Sequence, residues 1–247
     1  QIEVTNILSI TGVVNASGVL PRVIGGGSNR LFYVKPGGNL TIRRLNLTGG
    51  NQTDDRAGAV FVNSGIFTAF NSTFYGNEAL YTGALYAQSG ATVRLEGTNV
   101  GFNKAQTQLN YPGGIYITDS TTSFEIVGGT IESNLASTSS NGGGIACAGG
   151  SQCTFDSVNI RRNIAGQAAG ICIQDAFLNL KDSIVEFNGN EFTNGGAGIG
   201  CYSVDATATC NISNVIIRYN KALSAHNAQW YGGGGLRAQG NAYVSIY

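Results

Sequence analysis

Residues 143–163 read GGIACAGGSQCTFDSVNIRRN and contain two short phrases that recur along the chain. The first is two small residues followed by a branched aliphatic one, here Gly143–Gly144–Ile145. The second is an apolar residue, two variable residues and an asparagine, here Ile160 to Asn163. It occurs six times, and its asparagines, 25 to 32 residues apart, are Asn77, Asn103, Asn134, Asn163, Asn188 and Asn220. A phrase with this period predicts a solenoid, in which thin repeats bury their apolar side chains by stacking.

The residues before each asparagine alternate in a way that indicates two strands joined at a bend. Counting back from Asn163, the tenth, eighth, fifth and third residues are Cys153, Phe155, Val158 and Ile160. Period-two alternation places these apolar side chains on one face of each strand, and the extra residue between the two pairs marks the bend.

The asparagine positions are predicted to form a corner and a ladder. One repeat before Asn77, Gly50 occupies the asparagine's position. Since Gly and Asn most readily adopt a left-handed backbone, this exchange predicts a left-handed turn. An asparagine at the same corner of successive coils can also bond its amide to the asparagines above and below. We therefore expect the six asparagines to form a ladder.

The small-small-aliphatic phrase predicts the third strand of each repeat. Its aliphatic residues are Val60, Leu85, Ile115, Ile145, Ile171, Ile199 and Leu236. Three short strands and three corners per repeat describe a parallel β-helix, whose coils lie about 4.8 Å apart. We predict an all-β solenoid of about 8 coils with three short strands per coil. It forms a single domain over residues 1–247.

Four outward positions predict a column of alternating charge. In four consecutive coils, the residue two before the asparagine is Glu132, Arg161, Glu186 or Arg218. Opposite charges stacked at strand spacing stabilise by roughly 0.2–1 kcal/mol per exposed pair. The main effect of this column would be to determine which coil lies on which.

Composition argues against several function classes. The chain carries 14 basic and 14 acidic residues, so it has no electrostatic footprint for nucleic acid or for an anionic membrane. No apolar run approaches the roughly 20 residues of a membrane span. The sequence does not begin with methionine, and a removed secretory signal explains this most simply. We expect a secreted or cell-surface protein without a cofactor.

The cysteines follow the repeat register. Cys147 and Cys201 each follow the coil's aliphatic residue by two positions, while Cys153 and Cys210 share the tenth position before the asparagine. This register predicts two disulfides, Cys147–Cys153 and Cys201–Cys210, across equivalent corners, and an oxidising compartment. Cys172 remains as a free cysteine that we expect to face outward. It is either a plain small residue or an intermolecular contact.

Six Asn-x-Ser/Thr triplets predict N-glycosylation if the chain passes through a eukaryotic secretory pathway. By the repeat register, four of these asparagines fall on outward strand positions and one lies just beyond a corner, where a glycan would stand in solvent. The outward four are Asn39, Asn46, Asn71 and Asn211, the one beyond a corner is Asn51, and the remaining triplet begins at Asn15.

Two segments are candidates for chemistry or binding. Asp54–Asp55–Arg56 is the nearest approach to a catalytic carboxylate cluster, and we interpret it as a solvated loop because no neighbouring coil supplies a second acidic pair. The single histidine, His226, excludes multi-histidine metal sites, and we expect no metal and no catalytic residue. The same connection holds Trp230 and Tyr231, which could stack on sugar rings, cover a coil edge or contact another subunit.

The paired phrases resemble the repeats of the polymorphic outer-membrane-protein family, the passenger domains of surface adhesins. They appear here as Gly83–Ala84–Leu85 with Val100 to Asn103, and as Gly143–Gly144–Ile145 with Ile160 to Asn163. Similar repeats occur in pectin-lyase-like surface proteins of algae and protists. The resemblance covers roughly residues 40 to 240 and implies a right-handed parallel β-helix. For function it implies only display or adhesion outside the cell.

Both ends of the sequence read as strands. Residues 2–10 and 242–247 alternate without a polar cap, which predicts either a longer parent protein or self-association through the end coils. We hypothesise a non-catalytic extracellular β-helix, a glycosylated protomer that stacks head-to-tail into a fibre. The alternatives are an adhesin that binds glycans or surfaces through the Trp230 loop, and a polysaccharide lyase or hydrolase.

Overall fold

The computed structural model describes residues 1–53, 55–107, 111–189, 196–222 and 234–247. These ranges contain β-strands and no helix, and the strands of successive coils pair in parallel. No segment within them forms a helix long and apolar enough to cross a membrane. The fold is the predicted all-β parallel solenoid, built from three stacks of strands.

Stack 1 contains the strands that begin at the aliphatic residue of the small-small-aliphatic phrase, together with two earlier strands that lack the phrase, Ile2–Val4 and Phe32–Val34. Its register places Val60 beside Leu85, Leu85 beside Ile115, and Ile115 beside Ile145. The predicted third strand of the coil is therefore confirmed. The nine strands are Ile2–Val4, Phe32–Val34, Val60–Asn63, Leu85–Gln88, Ile115–Thr118, Ile145–Ala148, Ile171–Gln174, Ile199–Tyr202 and Leu236–Gln239.

Stacks 2 and 3 contain the strands on either side of the predicted bend. Stack 2 consists of Ile7–Thr11, Asn39–Arg43, Ile66–Phe70, Gln152–Asp156, Phe177–Lys181, Thr209–Ser213 and Tyr243–Ile246. Stack 3 consists of Arg22–Ile24, Asn46–Thr48, Thr73–Tyr75, Asn159–Arg161, Ile184–Glu186 and Ile216–Arg218. Two long strands, Thr92–Gly101 and Ser123–Glu132, run through the bend and belong to both stacks. Beyond the asparagine corner, Asn51–Gln52, Glu78–Ala79 and Lys104–Ala105 form a small separate sheet.

The core fills the interior of the tube with the residues that the alternation places inward. Phe67, Phe74, Phe124 and Phe155 are among its largest fully buried side chains. Phe67 meets Phe74 edge-on at a centroid distance of 6.1 Å, and Phe124 meets Phe155 in the same way at 5.8 Å. Edge-to-face packing is a favourable geometry for aromatic pairs. The contact between Phe67 and Phe74 joins the two strands on either side of the bend and therefore stabilises the bend from inside the core.

The left-handed residue at the asparagine corner is the one before the asparagine. Phe102 and Phe187, which precede Asn103 and Asn188, have φ angles of 58° and 56°. The turn predicted at this corner is present, and the left-handed residue lies one position before the asparagine. For a residue with a Cβ atom this conformation costs roughly 1–2 kcal/mol, so other interactions must stabilise the corner.

A continuous ladder of side-chain amides supplies those interactions. Asn134 donates from Nδ2 to Oδ1 of Asn163 (3.0 Å) and to the carbonyl of Val100 (2.9 Å). Its Oδ1 accepts from Nδ2 (2.9 Å) and from the backbone N–H (3.1 Å) of Asn103. Equivalent side-chain bonds join all six asparagines of the repeat. The structure thus contains the predicted ladder, and its amides explain why asparagine is used at this position.

The two sequence phrases meet at this ladder. A Cβ atom at Gly144 would lie 3.0 Å from Nδ2 of Asn163 and 2.7 Å from the carbonyl oxygen of Gly170. The backbone therefore approaches the ladder too closely for a side chain. Gly114, Gly170 and Gly198 approach the ladder in the same way, which explains why glycine directly precedes the aliphatic residue in these coils.

The predicted charge column is present as two ion pairs. Nε of Arg161 lies 2.8 Å from Oε2 of Glu132, and Nε of Arg218 lies 2.8 Å from Oε2 of Glu186. The register also places Arg161 beside Glu186, so all four residues lie in one column. Each pair links two successive coils on the outside of the tube.

Candidate functional site

Both predicted disulfides lie inside the tube, at the corner between stacks 1 and 2. Cys147 is bonded to Cys153 and Cys201 to Cys210, with Cα–Cα distances of 6.7 and 6.6 Å. Ile173 separates Cys147 from Cys201 in stack 1, which places the two bonds two coils apart as expected. In the chain-entropy model, closing loops this short stabilises the folded state by roughly 2–3 kcal/mol each.

Cys172 faces away from the interior of the tube but is not accessible. It is 1% exposed, because Ala146, Ala168 and Tyr202 pack around it in a second layer. Burial raises the pKa of its thiol to about 12, so the thiol stays protonated at neutral pH. The cysteine is free as predicted, and an intermolecular contact through it would require this layer to open and stays a prediction.

The carboxylate of Asp55 lies between two arginines. Nη2 of Arg30 forms an ion pair with its Oδ2, and Nη1 of Arg56 lies 3.3 Å from its Oδ1. Burial raises the pKa of Asp55, but hydrogen bonds and charges from the two arginines outweigh that effect and hold it below its ordinary value. The guanidinium of Arg30 also lies 5.2 Å from the ring centroid of Phe61. An acid held ionised in this way is poorly suited to donate a proton as a general acid.

The six glycosylation triplets differ in how accessible their asparagines are. Three asparagines are exposed, one is half-buried, and two are half-buried with an Oδ1 atom that is buried and has no hydrogen-bond partner. In that order they are Asn15, Asn71 and Asn211; Asn39; and Asn46 and Asn51.

Three of these positions differ from the expectation of free outward strand or loop sites. Asn71 lies at the bend after strand Ile66–Phe70, with a left-handed φ of 46°, and not on a strand. Asn46 lies in stack 3 between two neighbouring strands, and its Oδ1 is covered there. Asn51 donates its backbone N–H to the carbonyl of Asn29 (3.1 Å), so the preceding coil lies against it. The repeat register predicted that these asparagine side chains point outward, but it did not predict which neighbouring strands and coils contact them.

Several predicted residues lie outside the described part of the chain. They are Asp54, His226, Trp230 and Tyr231. The roles suggested for Trp230 and Tyr231 stay predictions. Within the described ranges, no group of three or more His, Cys, Asp and Glu residues is arranged to hold a metal ion.

The outer surface of stack 1 carries a row of aromatic side chains that sequence reasoning missed. Tyr33, Phe61, Tyr86 and Tyr116 are in register, with successive ring centroids 4.9, 5.6 and 5.0 Å apart. Tyr111 packs against Tyr116 at 5.3 Å. Such contacts contribute roughly 0.5–1.5 kcal/mol each beyond burial. The sequence does contain a pattern that could have predicted the row, since each of its members directly follows the inward aliphatic or aromatic residue of its strand.

Beyond Tyr116 the same outward positions hold small residues, and a cleft opens. The column continues through Ala146, Cys172 and Gly200. A cleft of about 290 Å³ lies over Ala146 and Cys172, where the row of rings has stopped. Its sides are formed by Tyr111, Tyr116, Asn141 and Gln174.

A second depression extends the cleft along the tube. It has a volume of about 190 Å³, shares Asn141 and Gln174 with the first, and is also lined by Gln167, Tyr202 and Gln239. Tyr202 is 7% exposed, and its buried hydroxyl has no hydrogen-bond partner. Burial raises the pKa of Tyr202, so its hydroxyl remains a donor. The two depressions form a groove whose lining combines amides and phenols with Ser203, Val204 and the small residues of the stack 1 strands.

A protein-family model described as "right handed beta helix region" matches residues 30–247. The match covers most of the chain, which therefore belongs to the right-handed β-helix family. A search of curated proteins and a search of solved structures each found no match. The narrower resemblance to pectin-lyase-like and outer-membrane-protein repeats stays a prediction. Because one fold serves many functions, family membership alone does not decide between enzyme and structural protein.

Proposed function

We propose that this chain is a non-catalytic structural β-helix that works outside the cell, as part of a cell surface or an extracellular structure. The observation that supports this most is the reinforcement of the tube by the amide ladder from Asn77 to Asn220 and by two interior disulfides. Disulfides form and persist in oxidising compartments. In a solenoid each coil contacts only its neighbours, so bonds of this kind oppose local opening along the tube.

The exposed glycosylation triplets are consistent with this role. Asn15, Asn71 and Asn211 can accept a glycan without any strand being displaced. Asn46 and Asn51, by contrast, are half-buried, and the Oδ1 atom of each side chain is covered. We expect glycans on the first three in a eukaryotic secretory pathway, and little or none on the last two.

The environment of Asp55 also favours a non-catalytic role. Its two arginine partners stabilise the carboxylate, whereas glycoside hydrolysis requires a carboxyl group with a raised pKa that donates a proton to the leaving group. Self-association of the protein through its end coils stays a prediction.

The test is secretion of the chain from eukaryotic cells, followed by intact mass with and without deglycosylation and reduction. The proposal expects two disulfides, one free cysteine, and sugar at Asn15, Asn71 and Asn211 after peptide mapping. Fully reduced cysteines in the secreted protein would contradict an extracellular role.

A second measurement tests the absence of catalysis. The secreted protein is incubated with polygalacturonate and with neutral polysaccharides, and unsaturated uronate and reducing ends are measured over time. Asp55→Asn serves as the matched variant. Release by the wild-type chain that disappears in Asp55→Asn would overturn the non-catalytic proposal.

A further inference from the structure

We propose that the groove over Ala146 and Cys172 binds a neutral oligosaccharide along the axis of the tube. The described residues that line this groove include neither Asp55 nor Arg56. Binding here goes beyond the structural role proposed above, and neither depends on the other.

The length of the groove fits a chain-like ligand. Its lining residues extend from the coil of Ile115 to the coil of Leu236, which are four coils apart in the register of stack 1. At roughly 4.8 Å per coil, this distance is about 19 Å. Asn141 and Gln174 line both depressions and therefore lie where the two halves of a ligand would join.

The chemistry of the lining selects hydroxyl groups. The side-chain amides of Asn141, Gln167, Gln174 and Gln239 each offer both donors and acceptors, which is what a sugar hydroxyl requires. None of the described residues lining the two depressions is charged, and the guanidinium of Arg237 borders only the far end, where it donates to Oε1 of Gln239 (2.8 Å) and lies 5.8 Å from the ring centroid of Tyr202. An acidic polysaccharide or a phosphate would require cations here, so the groove favours a neutral ligand.

Aromatic rings border the first depression on one side. Tyr111 and Tyr116 pack at 5.3 Å with their planes 76° apart, and both line the cleft. Rings of this kind offer apolar surface to the C–H face of a sugar ring while their hydroxyls stay polar. The unpartnered hydroxyl of Tyr202, in the second depression, is a polar group that a ligand or a water could satisfy.

A peptide is a poorer fit than a saccharide. Peptides that bind sheets usually add as a strand, using free backbone groups at a sheet edge. The floor of this groove is the face of a sheet whose strands Ile145–Ala148 and Ile171–Gln174 are already paired with neighbours on both sides. Recognition must therefore come from side chains.

The experiment uses the full chain and isothermal titration with defined probes: cello-, xylo-, manno- and laminari-oligosaccharides, with oligogalacturonate as the charged comparison. We expect at least one neutral series to bind, and longer oligomers to bind more tightly than the monosaccharide. Gln174→Ala should weaken binding about tenfold, since one hydrogen-bonding amide shared by both depressions is lost. Ala146→Phe, which fills the floor of the cleft, should abolish binding.

The matched control is Asn179→Ala, an exposed amide on stack 2, which should leave affinity unchanged. Thermal unfolding confirms that each variant is folded, and Asn141→Ala replaces any variant that is not. Failure of every neutral oligosaccharide to bind would overturn the proposal. Equal affinity in wild type, Gln174→Ala and Ala146→Phe would do the same, because binding would then lie elsewhere. Tighter binding of oligogalacturonate than of any neutral series would reject the neutral class.

Discussion

The two faces of stack 1 are built from the same strands but follow different rules. Inward, the column is aliphatic in every coil from Val60 to Ile199 and is fully buried. Outward, the neighbouring residues change from aromatic rings to small side chains near Tyr116. The inward members are Val60, Leu85, Ile115, Ile145, Ile171 and Ile199, and the outward members are Tyr33, Phe61, Tyr86, Tyr116, Ala146, Cys172 and Gly200.

The difference follows from the space that each face must fill. A tube of constant cross-section needs a side chain of similar volume in every coil, because interiors are close-packed and tolerate few voids. The outer face has no such requirement. Its residues can vary along the axis, and the change from aromatic rings to small side chains produces the groove. Interior uniformity therefore indicates stability, while exterior variation indicates where a binding site can arise.

The largest effect is expected from breaking the interior ladder. Asn134→Ala should lower the free energy of unfolding by about 3–5 kcal/mol, since it leaves a buried N–H of Asn103 and the carbonyl of Val100 without their partners. Asn179→Ala, on an exposed face, should change it by less than about 0.5 kcal/mol. Urea unfolding followed by circular dichroism measures both. Similar midpoints for the two variants would contradict the importance of the ladder.

The two faces can be compared directly by substituting two adjacent residues of one strand, one that points inward and one that points outward. Ile171→Ala should cost about 2–5 kcal/mol, because the cavity forms in the close-packed tube. Cys172→Ala removes one sulfur from the outer layer and should cost about 1 kcal/mol. The same unfolding measurement compares them directly. If the outer variant were the more destabilised, the second layer would have to be regarded as part of the main core.

Removing a disulfide tests how much each covalently closed corner contributes to the stability of the tube. Replacing Cys147 and Cys153 together by alanine should lower the free energy of unfolding by roughly 2–3 kcal/mol. The Cys201–Cys210 bond should form normally in this variant, since the two bonds lie in separate coils. Unfolding midpoints and thiol counts under native conditions give both answers. Loss of the second bond would show that the two corners do not fold independently.

The smallest effect concerns the charged outer surface. Asp55 has a lowered pKa in the folded state, so its stabilising contribution is present above the unfolded-state value of about 4 and is lost as pH falls through its folded value. The melting temperature of Asp55→Asn should therefore be lower than wild type at neutral pH, with the difference shrinking in acid. Melting curves between neutral and acidic pH measure it. A constant difference would mean that the ion pairs with Arg30 and Arg56 are not the cause.

Much of the interior could be predicted because the repeat encodes it locally. Alternation before Asn163 identified Phe155 and Ile160 as core, and the shared register identified both cysteine pairs. The turn at the corner was predicted, but which of its residues is left-handed was not, because the side-chain amide of the asparagine, and not its backbone conformation, determines its use. The candidate groove was not predicted, because it depends on Tyr111 and Asn141, which lie in connections outside the repeated phrases.

The sequence by itself determined the period, the inward faces, the asparagine ladder and the disulfide partners. Each of these features depends on the position of a residue within its coil. Because the coils stack in register, the same positions align along the whole axis. Only the tertiary structure decided which outward residues are truly in solvent. Cys172 is covered, Asn46 and Asn51 are partly covered, and Asn211 is free. The physical reason is that exposure outside the tube depends on neighbouring coils and connections, which vary in length and follow no period.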